Sequence, residues 1–244
     1  LPFTFSHPAI ILPLLLFRRR WFSLTGLIIG SLTPDFEYFL RMKIEGGFSH
    51  SIIGVFLFDL PFGIFLAFLF HNIIRNNLFN NLPLFLASRV SIFKQFNWNL
   101  YFKKNWLIVI ISTLIGAFSH IFWDSFTHEN KYFVNLIPLL KNTVEFVGFQ
   151  MPIFKILQHL STLIGGIIIG YAIFKLPVNH NLKGSLSISY WSVLTGVTFT
   201  IIAIRLLTGL DYKLYPHVIA TSISAFIIAL TFTPSVLEKI KRKI

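Results

Sequence analysis

His120, Asp124 and His128 recur every four residues in S-H-I-F-W-D-S-F-T-H, residues 119–128. On a helix that spacing stacks them along one face, roughly 6 Å apart along the axis. Imidazole nitrogen and carboxylate oxygen are ligands that zinc and similar ions take. The same stretch also reads as a polar stripe hydrogen-bonding its neighbours between apolar helices. Other donors are scattered along the chain: His7 in T-F-S-H-P, Asp35 in T-P-D, His50 in S-H-S and His159 in Q-H. Taken singly, His7 and Asp35 read as helix caps, and His50 as a loop-to-helix start. His159 lies about two turns inside an apolar run, where an unpaired ring is costly, which favours a partner or an ion. His217, after Pro216, reads as interfacial, and Glu37 and Glu45 as solvated charges. The chain has no cysteine, so disulfides and thiolate metal sites are excluded. G-x-S-x-G, Walker A, G-x-G-x-x-G and H-E-x-x-H are absent.

The elements that must position these groups are membrane helices. The 244 residues are 55% hydrophobic and 12% charged, against roughly a quarter charged in a soluble domain. Apolar runs at 51–74, 105–126, 152–174, 187–209 and 215–236 reach or approach the ~20 residues that cross a bilayer. The expected fold is an all-α, polytopic membrane helix bundle of about five full spans. It is read as a single membrane domain over 1–244, with the motifs in 1–162 and two motif-free spans in 187–236. Two shorter runs, 8–17 and 22–33, flank Arg18–Arg20 and predict an N-terminal hairpin of short helices. Pro34 predicts a helix boundary at Thr33-Pro34-Asp35, followed by a polar loop over 36–50. Asp59, just before Pro61 in the first span, reads as capping backbone groups freed by that proline. The stretch 82–96 reads as an interfacial helix, and 127–151 as a mixed loop. Basic residues follow the first apolar run instead of preceding it, so no cleaved signal peptide is expected and Leu1 reads as near the natural start.

The net charge of +12 would suggest nucleic acid in a soluble protein. Here it reads as orientation, because basic loops stay cytoplasmic. With the basic tail inside, the loops at 75–104 and 175–186 and the arginine turn also fall inside. His7, His50, His120, His128, His159 and His217 then fall at the outer ends, together with Asp35 and Asp124. Only His71 and His180 fall inside. The partners expected are therefore the lipid bilayer and no nucleic acid.

L-P-F-T-F-S-H-P-A, G-S-L-T-P-D, S-H-S-I-I-G, S-H-I-F-W-D-S-F-T-H and Q-H-L-S-T, in that order over residues 1–162, resemble an uncharacterised prokaryotic membrane family, a domain of unknown function. That family is similar to inner-membrane proteins described as metal-dependent hydrolases. More distantly, the donor order resembles that of the zinc-dependent phospholipase C fold. There it would be met by His7, Asp35, His50, His120, Asp124, His128 and His159. That order ends on a Glu four residues after the last His, where this chain has Leu163, so the resemblance implies one or two zinc ions and no third. It implies that Asp35, His50, His120 and Asp124 hold one ion and that Asp124 bridges to a second near His7. It further implies a water activated by the ion as nucleophile, oriented or deprotonated by Asp35 as the catalytic group. The substrate would be a phosphoester, a phospholipid head group, at the outer face of a prokaryotic inner membrane. The alternative is a non-catalytic metal-binding protein of transport or assembly, for which Asp59 and Arg205 are the candidate polar groups deep in spans.

Overall fold

A computed structural model describes residues 4–16, 21–146, 148–182 and 186–241. The arginine turn, Leu1, Lys183 and residues 242–244 lie outside the described residues. The described residues are all-α apart from one short hairpin. Helix α1 (Pro8–Ile11) is flanked by 3-10 turns at Thr4–Ser6 and Leu12–Leu16, and α2 is Leu24–Arg41. Then come α3 (Ile52–Asn81), α4 (Leu84–Val90), α5 (Trp98–Thr127) and α6 (Tyr132–Leu136). Strands β1 (Thr143–Phe146) and β2 (Phe149–Pro152) pair antiparallel before α7 (Ile153–Phe174), α8 (Ile188–Leu207) and α9 (Tyr215–Lys241).

Among the described residues, five helices are long and apolar enough to cross a membrane: α3, α5 with α6, α7, α8 and most of α9. This is an integral membrane protein, as composition predicts. Large side chains on these helices stay exposed, including Leu207, Ile188 and Ile52. Such surface is unfavourable in water and at home in hydrocarbon. The predicted interfacial helix is present as α4 with a following 3-10 turn, Ser91–Phe93.

Three local expectations are corrected. First, α2 does not stop at Thr33; it runs through Pro34 to Arg41, so Asp35 is no N-cap and the loop over 36–50 is shorter. A proline inside a helix leaves the carbonyl four residues back without its N–H. The Thr33 hydroxyl replaces that donor, giving a hydrogen bond to the Gly30 carbonyl at 2.8 Å. Second, Glu37 is not a solvated charge: it is buried, accepts from Arg41 at 3.0 Å and from the Gly47 N–H at 3.2 Å. Third, the loop over 127–151 contains α6 and the β1–β2 hairpin, with Gly148 at φ +78° between the strands. In α3, Pro61 is preceded by a π-helical turn, Val55–Asp59, in which the Leu60 N–H reaches the Val55 carbonyl.

The chain divides into two compact units interleaved in sequence. One comprises the residues up to Asp35, Phe48–Ile64 and Asn105–Ala172; it contains every candidate donor named above. The other comprises Phe36–Gly47, Phe65–Lys104 and the chain from Ile173. In the second, Tyr190 and Leu194 of α8 pack on Ala229 of α9. There too the Arg75 guanidinium donates to the Phe96 carbonyl at 2.7 Å and contacts His71, which stacks on Trp98. The α5 helix is kinked at Asn105 (φ −132°, ψ 27°), where the units meet in sequence.

In the first unit α2 and α5 cross at glycines. A Cβ on Gly30 would stand 2.1 Å from the Thr113 carbonyl oxygen, and one on Gly116 2.4 Å from that of Leu27. Only glycine permits this approach, the small-residue packing that lets membrane helices touch along their backbones. The Ser23 N–H donates to the Ser112 hydroxyl at 2.8 Å across the same pair. Four residues past Gly116 lies His120, and five past Gly30 lies Asp35.

Candidate metal centre

The glycine crossing sets two side chains face to face. His120 Nδ1 donates to the Ser31 carbonyl at 2.8 Å, which fixes the ring and directs Nε2 to Asp35 Oδ1, 3.6 Å away. Asp35 Oδ2 accepts from the Thr4 hydroxyl at 2.5 Å, leaving Oδ1 for the cluster. One helical turn after His120, Asp124 brings Oδ2 to 3.4 Å from His120 Nε2. His50 enters from the loop before α3. Ser49 Oγ donates to the Pro34 carbonyl at 2.7 Å, so His50 Nδ1, 3.1 Å from that oxygen, is the donor and Nε2 is turned to the cluster. That Nε2 lies 3.5 Å from both Asp35 Oδ1 and Asp124 Oδ2. Ser51, not His50, caps the helix, accepting from the Gly54 N–H.

A charge-assisted N–H···O bond closes at about 2.7–2.9 Å, so at 3.4–3.6 Å these four contacts are loose ion pairs rather than closed hydrogen bonds. Ligands bound tetrahedrally at 2.0–2.2 Å stand roughly 3.3–3.6 Å from one another. Each His–Asp pair among His50 Nε2, His120 Nε2, Asp35 Oδ1 and Asp124 Oδ2 thus stands at the spacing of two ligands on one ion. Asp35 Oδ1 and His120 Nε2 are buried without hydrogen-bond partners, an arrangement that costs free energy unless something binds there. Two imidazoles in the set favour zinc-like ions over calcium or magnesium, which take oxygen.

A second set shares Asp124. Its Oδ1, buried and without a hydrogen bond, lies 3.6 Å from His7 Nε2 and 3.5 Å from His128 Nδ1. His7 makes no capping hydrogen bond; its buried ring stacks on His120 with centroids 3.7 Å apart. Burial, and then the neighbouring His120, lowers the His7 pKa to about 3, so the ring is neutral and its lone pair open to a ligand. Burial would push Asp35 up, but His120 and His50 outweigh it and hold the carboxyl below the usual range. Burial opposes protonation of His50, yet the Asp124 and Asp35 carboxylates raise its pKa. His7, Asp35 and His120, and likewise His50, His120 and Asp124, converge closely enough for each trio to hold an ion.

One expected donor is not brought in. His159 is exposed, and the neighbouring Gln158 is buried instead, with Nε2 3.3 Å from His128 Nε2. Successive helical residues differ by about 100° in direction, so one position decides which side chain faces the cluster. Thr4, Ser49 and Gln158 are supporting residues that reasoning from ligand types alone passes over. Thr4 and Ser49 flank predicted donors in the T-F-S-H and S-H-S motifs, and that adjacency was the available signal.

The family model described as Domain of unknown function (DUF4184) matches residues 1–236. No curated protein and no solved structure matches the chain.

Proposed function

The chain belongs to this family of unknown function, and on that premise we propose that it is a membrane-embedded, metal-dependent hydrolase of a phosphoester. The reading rests on one observation: buried donor atoms from α2, α5 and the loop before α3 whose four His–Asp pairs stand 3.4–3.6 Å apart, longer than closed hydrogen bonds and at the spacing of ligands on one ion. Asp35, His50, His120 and Asp124 would hold the first ion, and Asp124, His7 and His128 would serve a second. A zinc-like ion there supplies Lewis acidity and lowers the pKa of water toward neutrality. Asp35, whose Oδ2 is held by the Thr4 hydroxyl, would orient that water through Oδ1. His128 is the donor with a partly open side chain, 23% exposed against 3% or less for the other paired donors, and marks where the phosphate enters. The distribution of basic loops supports a centre on the extracytoplasmic side of a prokaryotic inner membrane with the C-terminus cytoplasmic.

Elemental analysis of gently purified protein, with turnover of a water-soluble phosphodiester, tests the reading. At least one zinc-like ion per chain and chelator-sensitive hydrolysis are expected; fewer than about 0.3 ions per chain rejects it. Retained ion without hydrolysis of any phosphoester leaves a metal-binding protein of transport or assembly.

A further inference from the structure

Beside the cluster lies a cavity of about 320 Å³, within the range of small-molecule sites. Its wall is one face of α7: Leu157, Leu160, Ile164 and Ile168 follow at three- and four-residue steps, over about 16 Å of helix. Trp123 of α5 and the N-terminal segment with His7 complete it. The segment is pinned to α7 by Ser6 Oγ donating to the Thr162 carbonyl at 3.0 Å. The two ends differ. Leu157 adjoins Gln158, which touches His128, and His7 lines the cavity while facing Asp124. The far end, at Ile168, is apolar. Leu160, Ile164 and Ile168 are 47%, 53% and 41% exposed on a helix that crosses the membrane. The cavity therefore opens sideways, and what lies beside a spanning helix is hydrocarbon. A groove that is apolar along its length and ends at an imidazole–carboxylate cluster is complementary to an amphiphile.

We propose that the groove along α7 holds a hydrocarbon chain of a lipid whose phosphoester lies at the His7–Asp124 end, so that the centre acts on substrates drawn laterally from the bilayer. This rests on the hydrolase reading and names its substrate class. Groove residues act by positioning: they contact the chain and leave the reacting atoms untouched.

The test uses the full chain in phosphatidylcholine vesicles doped with a phospholipid whose acyl chain carries a photoactivatable diazirine. Crosslinks are mapped by mass spectrometry. Labelling at Leu160 and Ile164 is expected about tenfold above that at Phe199 and Leu207, exposed on α8, and Ile164→Trp should reduce it to their level. In parallel, Ile164→Trp should lower turnover of a long-chain phospholipid about tenfold while leaving ion content and turnover of a water-soluble phosphodiester unchanged. Uniform labelling of all exposed helices, or equal turnover of the long-chain lipid by both proteins, overturns the groove. Selective labelling with no hydrolysis of either substrate supports the groove as a lipid site and overturns the hydrolase reading beneath it.

Discussion

Asp124 is the side chain on which both donor sets depend, since Oδ2 faces His50 and His120 while Oδ1 faces His7 and His128. Asp124→Asn and His120→Ala should each reduce bound zinc to below about a third of the wild-type content, measured by plasma emission spectrometry. His159→Ala should leave it unchanged, because that ring is exposed. Gln158 acts through His128. Its amide nitrogen donates to His128 Nε2, so the ring proton sits on Nδ1, which faces the Asp124 carbonyl at 3.3 Å; turned over, the amide would accept from Nε2–H and free Nδ1 for an ion. Gln158→Leu removes that control and should weaken ion affinity or activity about 10–100-fold, as losses of such supporting contacts do. Gln158→Glu, which still accepts from Nε2–H, should restore most of it, as read by zinc titration. That His120, Asp124 and His128 share a helical face follows from spacing alone. That Gln158 rather than His159 faces them does not, since both lie in one apolar run and only packing sets the rotation.

At the scale of the element, α2 carries the centre because it ignores its proline. Sequence rules end helices near Pro, and Thr33-Pro34 reads as such an end. The Thr33 hydroxyl bond to Gly30 removes the main cost of continuing, and Asp35 consequently projects from mid-helix. Thr33→Val should lower thermal stability in detergent by about 1–3 kcal/mol, the cost of a buried carbonyl left without its partner. The α2–α5 crossing is stricter. Gly116→Leu places a side chain where backbone already lies, so α2 must move and Asp35 with it. It should lose both zinc and thermal stability, whereas Gly166→Leu, in open space on α7, should lose neither.

For the whole molecule, the proposed ion binding would be linked to folding. A ligand that binds the native state stabilises it, so chelation should lower the melting temperature of the wild type by several degrees and leave that of His120→Ala unmoved. Orientation can be read directly, because the chain contains no cysteine. A cysteine at Glu129 should react with an impermeant maleimide from outside intact cells, and one at Lys239 only after permeabilisation.

The amino-acid sequence by itself determined the membrane class, the five spans and the pool of donors. Each of these is a local property: transfer free energy sums over about twenty neighbouring residues, and ligand chemistry resides in the residue type. Tertiary structure decided which donors meet. Helix continuity past Pro34, the approach at Gly30 and Gly116, and the rotation of α7 depend on contacts between residues far apart in the chain. They brought Thr4, Asp35, His50 and His120 together from four separate stretches and turned His159 away.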